Sequence, residues 1–504
     1  MTPIFSRSGP PATGAVARKT PTAMLLALGL LSGCATGAPP RAADITLPAV
    51  FTKEALGGPA TETLGQFWTL YDDPQLAALT ETALQQGFSV REALARLDEA
   101  RALRSVAIRQ FDPQGSLQAN TDYRETQDLD SNDNPDVIPG LPPGFDFGTG
   151  SSVGATKSAS VTLPVSWELD LFGRRGAARR QGDADLAAAA FEVESARAAI
   201  AAEVARSLFQ ARGFAAQLEE AEQTLRIQRE LLRILSIRAE RGIAAMSEAD
   251  RVAGDVAQAE AQVADLTAAI TASKRALLAI VGTATATLDS VAVTSDLDLP
   301  PTIPATMPGD LLERRPDVRI ASARVASAAS GVRLAELDFF PRLTLNPGVG
   351  LSVQRGSFDS TTSFWSLAAG FAVPILDRGR LMAQLRAEGA RAEQAVLAYE
   401  RTVQTAFSES DQALVRLAAD RRRVDLLDAG QVRARQAYDA ALTRYELGFA
   451  DLQEVLDAER AWRATRASLT TARVDALQRS VQLFQSLGGG WSVTPPVYLA
   501  RNPS

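Results

Sequence analysis

The chain is written twice. Residues 91–117 and 319–345 align without a gap at an offset of 228, with identities at Arg91/Arg319, Ala93/Ala321, Ala95/Ala323, Arg96/Arg324, Ala100/Ala328, Ala107/Ala335, Phe111/Phe339, Pro113/Pro341 and Leu117/Leu345. Nine identities in 27 positions exceed what a chain rich in Ala and Arg produces by chance. Farther on, RAERG at 238–242 matches RYELG at 444–448 at an offset of 206, so the first copy carries the longer insertion. A repeat this long marks a duplicated supersecondary unit. The copies meet at residues 299–308, LPPTIPATMP, which cannot be helical because proline lacks the N–H and clashes with the preceding turn. Any fold must therefore be assembled from two similar halves.

Each half reads in the same order. An Ala-rich helix (75–110; 310–337) ends before Pro113 or Pro341. A strand-like run, a Gly/Pro/Asp loop and a second strand-like run follow, at 115–124 and 159–168 in the first half and at 342–354 and 362–373 in the second. VTLPVSWEL at 161–169 alternates in part, and Phe364, Trp365, Leu367, Phe371 and Val373 supply β-forming bulk. Trp167 and Trp365 suit an interfacial belt. Taken alone, these runs fit two ordinary soluble hairpins as well as lipid-facing strands, whose signal per segment is weak.

Two long helices close each half. In the first, residues 181–240 hold no proline, and Ile200, Val204, Leu208, Ala211, Ala215, Leu218, Leu225, Leu232 and Leu235 recur at steps of three, four and seven, the spacing of a coiled-coil seam. A turn at Gly242 leads into 246–281; the second half repeats this with 380–446, a turn at Gly448 and 452–487. Sixty helical residues span roughly 90 Å. The chain then divides into a leader (1–33), an N-terminal segment (34–80), a first repeat (81–290), a Pro-rich linker (291–309), a second repeat (310–487) and a tail (488–504). The fold class is α+β, mainly helical.

Cys34 is the only cysteine. It ends LSGC at 31–34, after Arg7, Arg18, Lys19 and the apolar run 24–31, the layout of a secretory signal. That run is too short to span a bilayer. The tripeptide before Cys34 resembles the bacterial lipobox, which implies cleavage before Cys34 and its conversion to an N-palmitoyl, S-diacylglycerol cysteine. Ala35 at the next position resembles the pattern sorted to the outer membrane. No run of 18 apolar residues follows, so no transmembrane helix is expected. The net charge of −7 argues against a nucleic-acid partner. The absence of histidine removes His triads, His bases and His metal ligands, and no GxSxG or phosphate-binding glycine loop occurs. Neither an enzyme, a metal site nor a cofactor is expected, and a chain this long without a site points to architecture or transport.

Four strands cannot close a barrel, and open edges are forbidden in lipid. If the hairpins enter a membrane, several chains must pool them. Two chains would give eight strands, too narrow for solutes; three would give 12, enough to enclose a lumen. The four long helices of each chain would pool likewise into a tube.

At this point the chain resembles the TolC-like outer membrane efflux proteins, in particular the OprM/NodT type of lipoprotein. The resemblance rests on YDDPQLAAL at 71–79, SWELDLFGRRG at 166–176, MPGDLLERRPDVR at 307–319, FFPRLTL at 339–345, VPILDRGR at 373–380 and RYELGFADLQEVLDAERA at 444–461. It implies a homotrimer with a 12-stranded transmembrane β-barrel, four strands per chain, continued by a long periplasmic α-helical barrel. An equatorial region comes from the N-terminus, linker and tail. The expected role is the passive exit duct of a tripartite efflux pump, with a periplasmic membrane-fusion adaptor and an inner-membrane RND-type transporter as partners and the outer membrane lipid as surroundings. The second reading is the outer-membrane duct of a type I protein secretion system; from another class, a lipid-anchored coiled coil without a pore. The 125–158 loop is longer than the family pattern.

Three smaller readings come from the residues. Glu313, Arg314, Arg315 and Asp317 read as a salt-bridged helix start with Pro316 restricting the backbone. Gly173 and Gly379 lie between strand and helix, where each is expected to permit a turn. Asp451, Glu454, Asp457 and Arg460 recur at three-residue steps beyond Gly448, so neighbouring members lie on adjacent helix faces. In a trimer one inward carboxylate becomes a ring of three. The family resemblance implies an aperture at this tip, with Asp457 its carboxylate; a solvated helix face explains the same charges.

Overall fold

In the computed structural model, the chain is described over residues 41–52, 61–126, 154–243, 245–302, 308–356 and 359–490. Cys34 and its signal, most of the 125–158 loop and the 491–504 tail lie outside these residues.

The elements in order are α1 (Thr61–Tyr71, wound as 3₁₀ turns), α2 (Pro74–Gln86), α3 (Phe88–Arg109), β1 (Gln114–Gly115), β2 (Gln118–Thr126) and β3 (Gly154–Leu169). Then come α4 (Arg174–Glu240), α5 (Met246–Val281), α6 (Asp310–Arg314), α7 (Pro316–Leu337), β4 (Arg342–Arg355), β5 (Ser360–Ala372), α8 (Arg378–Glu446) and α9 (Leu452–Ser486). The duplication is visible in the boundaries: α3 and α7 both have 22 residues and start and end 228 positions apart. The expected helix 75–110 is two helices, broken at Gly87, where an added Cβ would meet the Ile200 side chain at 2.3 Å. Its counterpart breaks at Arg315, extended at φ −77°, ψ 122° as a residue before proline prefers.

The start of α2 shows how the YDDP motif works. Asp72 takes a left-handed φ of 49°, tolerated by aspartate. Asp73 caps the helix, accepting from the N–H groups of Gln75 and Leu76. Pro74 fills the first helical position, where no N–H is needed. The second carboxylate oxygen of Asp73 lies 2.6 Å from Arg212 on α4, which pins the N-terminal segment to the long helix.

The helices form an arc. α4 packs on α3 and α5 along one side and on α7 and α9 along the other; α8 packs on α7 and α9. The short helices stack end to end. Gly282, at φ +89° after α5, brings its backbone against Gln86 O at the end of α2, with 2.7 Å left for a Cβ. Gly488, at φ +77° after α9, sits as closely on the backbone of Arg314. Two unbroken helices thus alternate with two built from paired pieces.

The largest core lies midway along the arc and on one side of it. Leu64, Phe67 and Trp68 of α1 with Leu76 and Ala83 of α2 pack on Ile200, Val204 and Leu208 of α4 and on Leu477, Val481 and Phe484 of α9. Phe67 stacks on Phe484 with 5.7 Å between centroids. The chain at 41–52 covers the same side of α8: Arg41 pairs with Glu400, Phe51 stacks on Phe407, and the Thr52 N–H donates to Asp411. Arg315, buried, donates to Asp317, Glu409 and the Ser486 carbonyl. The ERRPD cluster therefore acts as a tie between α7, α8 and the C-terminal end of α9, where a cation also suits the helix dipole.

Candidate functional site

Strands β2, β3, β4 and β5 form one antiparallel sheet in chain order, with β1 prolonging the β2 side. The register sorts the side chains into two faces. On one, Leu163, Val349 and Trp365 lie in a row, as do Trp167, Leu345 and Ala369, and Leu169, Leu343 and Phe371. On the other, Gln118, Thr162 and Gly350 share a row, as do Asn120, Ser160, Ser352 and Thr362, and Asp122, Ser158, Gln354 and Ser360. Neither face packs on a protein core: Trp365 is 79% exposed and Leu367 65%. An apolar face left open in water would be costly; lipid is its natural cover. The apolar row 343–353 of β4 covers roughly 33 Å of strand, or about 25 Å along a barrel axis at a tilt of about 40°. Phe364 is the exception on the polar face. Its ring covers Gly350, where a Cβ would stand 2.5 Å from it, so the ring lies along the wall.

The sheet passes into the helices through a tight joint. Asp170 accepts from the N–H groups of Gly173, Arg174 and Arg175, and Gly173 turns at φ +85°. Arg174 pairs with Glu168 and with Asp338 of the other repeat. The Trp167 indole donates to Phe111 O. Gly379, expected to turn like Gly173, does not: it lies inside the first turn of α8, without a left-handed φ, and Asp377 is the residue before the helix. The second joint turns through Pro374 to Asp377, so its glycine is spared the role.

Below the equator the uncovered side of the arc is a continuous stripe of polar residues and alanines. On α9 it runs through Glu454, Asp457, Ala461, Ala464, Ser468, Thr471, Asp475, Gln478, Gln482 and Gln485, alternating steps of three and four. All are exposed or half-buried, while Leu477, Val481 and Phe484 on the other side of the helix lie under α1. On α4 the matching positions are Glu203, Gln210 and Gln217, opposite Ala201, Ala205 and Leu208. One side of the arc is thus clad by the N-terminal segment and the other is open and hydrophilic.

At the far end both hairpins close with the same turn. Gly242 (φ 71°) and Gly448 (φ 79°) follow the helices, and the Ile243 and Phe449 N–H groups return to Arg238 O and Arg444 O, each at 2.8 Å. The four charged residues of this tip have different jobs. Asp451 caps α9, accepting from the Glu454 N–H at 2.8 Å. Glu454 pairs with Arg444 across the turn. Asp457 accepts from Gln453 and lies 3.3 Å from Arg460, which in turn reaches Asp255 at 3.9 Å. Asp457 and Glu454 face the open stripe; Asp451, as a cap, belongs to the turn.

Sequence reasoning missed the clasps between the two hairpins. Arg238 donates to the Tyr445 hydroxyl at 2.7 Å and lies over its ring, and Arg251 donates to Gln453 at 2.7 Å. Their partners lie about 200 residues away and leave no local signal. Higher up, Glu459 is 4% exposed, 2.9 Å from Arg463, and burial raises its carboxyl above the usual carboxylate range, with Arg463 opposing. Among the described residues no cluster of His, Cys, Asp or Glu could hold a metal, and no helix is long and apolar enough to cross a membrane.

A sheet apolar outside and polar inside, joined to a long arc of helices with one hydrophilic side, defines the class: a subunit of an outer-membrane channel. The chain belongs to the outer membrane efflux protein family, whose model matches residues 79–283 and 307–489. It is 26% identical over 471 residues to the pyoverdine export outer membrane protein OpmQ of Pseudomonas aeruginosa, covering 92% of this chain and 95% of that one. The solvent efflux pump outer membrane protein SrpC of Pseudomonas putida is 30% identical over 436 residues, covering 84% and 87%. Among solved structures, the outer membrane protein VceC of Vibrio cholerae superposes with a TM-score of 0.71 at 25% identity, over 85% of this chain and 99% of that one. The protein is an outer-membrane efflux channel that extends into the periplasm.

Proposed function

We propose that three copies of the chain form the passive exit duct of a tripartite pump. A periplasmic membrane-fusion adaptor and an inner-membrane RND-type transporter supply specificity and energy. The observation that carries this reading is the four-stranded sheet whose edges, β2 and β5, have no outer partner strand among the described residues, and whose faces are sorted apolar from polar. Only pooling the strands of several chains removes those edges from lipid. The arc has two lateral ends as well, and Leu397, Val415 and Val432 on α8 are exposed apolar residues suited to a neighbour's helices.

The aperture of this duct is the hairpin tip. Glu454 and Asp457 from three chains would ring it with like charge, favouring cations. The double variant Glu454→Ala with Asp457→Ala is expected to raise single-channel conductance, weaken cation selectivity and sensitise cells to large antibiotics. Unchanged conductance and selectivity, in a variant whose mass in detergent is three chains, would put the aperture elsewhere; a stable folded monomer would remove the duct itself. Cys34 is the anchor in this reading. Cys34→Ser is expected to lose palmitate labelling, and labelling equal to wild type would exclude it.

A further inference from the structure

The open side of the arc carries a recess that conduction does not require. It occupies about 260 Å³ between α4 and α9 at the equator, lined by Arg206, Asp475, Gln478, Arg479, Gln482 and Gln485. Every lining side chain is polar, four of them stand on the hydrophilic stripe of α9, and the apolar side of the same helix turn is buried beneath α1.

The lining itself carries two guanidiniums, Arg206 and Arg479, and one carboxylate, Asp475. Asp475 lies 3.3 Å from Arg423, and Arg479 lies 3.4 Å from Asp420 while donating to Gln482 at 3.0 Å. Asp475 and Asp420 therefore each have their own guanidinium. Arg206 has no carboxylate partner among the described residues: it donates to the neutral amide oxygen of Gln485, at 3.3 Å. Glu203, one turn nearer the barrel, makes no ion pair among the described residues. A guanidinium offers five donors in a rigid fork, and the hydrogen bond of Arg206 to Gln485 uses a single one of them. Gln478 gives one N–H to Gln210 and keeps its second.

We propose that this recess is a binding site for a small organic anion carrying carboxylate groups. Arg206 takes a carboxylate through its fork, and the Gln478 and Gln482 amides donate to the remaining oxygens. The proposal rests on reading the open side as the duct lumen. It gives the duct two zones of opposite preference: a carboxylate ring at the tip and, at the equator, three cationic recesses where anionic cargo dwells before the barrel.

Citrate, a hydroxylated tricarboxylate, is the probe, titrated calorimetrically into the full-length detergent-purified protein at low salt. Wild type is expected to give saturable binding and Arg206→Gln to weaken it at least about tenfold, as loss of a charged hydrogen bond does. Arg206→Lys, which keeps the charge but not the fork, should fall between. Arg324→Gln, at a surface pair with Glu192 on another helix, should bind as wild type. If Arg206→Gln fails to fold, Gln482→Leu carries the comparison and should also weaken binding. No saturable citrate binding by wild type, or wild-type affinity in the folded Arg206 variant, overturns the site. Conductance of the same preparations separates the two levels: channels that conduct but ignore citrate sink the site alone, whereas preparations that never conduct sink the duct reading and the site with it.

Discussion

At the residue scale, Glu459 is a side chain whose chemistry depends on its surroundings. Burial raises its carboxyl, with Arg463, Arg460 and Arg466 pulling down and Asp255 pushing up. Above the ordinary carboxylate range and below the raised folded value, the native protein therefore holds a proton that the unfolded chain has lost. Stability contributed by this group is present at the acid side of that window and is lost as pH rises through it. Glu459→Gln is expected to flatten the fall in unfolding midpoint between mildly acidic and neutral pH. A wild-type slope in the variant, followed by circular dichroism, would contradict this. The sequence makes Glu459 look like one more charge in LDAER, because its neighbours Ile227 and Leu231 on α4 and Tyr438 on α8 are distant in the chain. The same limit explains Asp451, which shares a spacing with Asp457 but serves as a helix cap, and Gly379, whose resemblance to Gly173 ends where its joint turns on other residues. By contrast the Arg315–Asp317 pair at the start of α7 was legible, since it lies within the motif and Pro316 fixes the break, whereas the onward tie to Glu409 and the Ser486 carbonyl was not.

Among the elements, the long helices were the easiest to read. Their seam repeats over many turns, and Ile200, Val204, Leu208, Ala211, Leu225 and Leu235 are all buried. The strands were the hardest. In STTSFWSLAAGFA the apolar row contains Thr361 and Ser363, and Phe364 stands on the polar row, so alternation blurs until the register with β4 is known. That register makes a sharp forecast. Leu367→Arg puts a cation on the lipid face and is expected to cost about 2–4 kcal/mol near the bilayer midplane, falling toward its edges. Ser366→Arg, one residue away on the opposite face, should leave stability within about 0.5 kcal/mol and change ion selectivity instead. Urea unfolding of both variants in liposomes, with equal losses or the reverse order, would show the faces to be assigned the wrong way round.

For the whole molecule, the duplication explains the architecture. Two copies of helix, hairpin and long helical pair give one chain two strands pairs and four helix columns, arranged as an arc with unpaired edges at both ends. Neither a sheet with open edges nor an arc with one hydrophilic side is complete alone, and closing both by the same rotation yields a barrel continued by a tube. What the sequence could not display is which side of the arc is inside, because α4, α8 and α9 carry polar residues on more than one face. The N-terminal segment decides it by cladding the other side. Accessibility along α9 tests this most directly, since Cys34 is the chain's only cysteine and is consumed by lipidation in the proposed anchor. Cysteine placed at Ala464, on the open stripe, is expected to react with a charged, membrane-impermeant thiol reagent and reduce single-channel current. Cysteine at Val50, exposed on the clad side, should react as readily and leave the current unchanged. Current lost on modifying position 50 but not position 464 would contradict the central claim that the hydrophilic side of the helices is the wall of the duct.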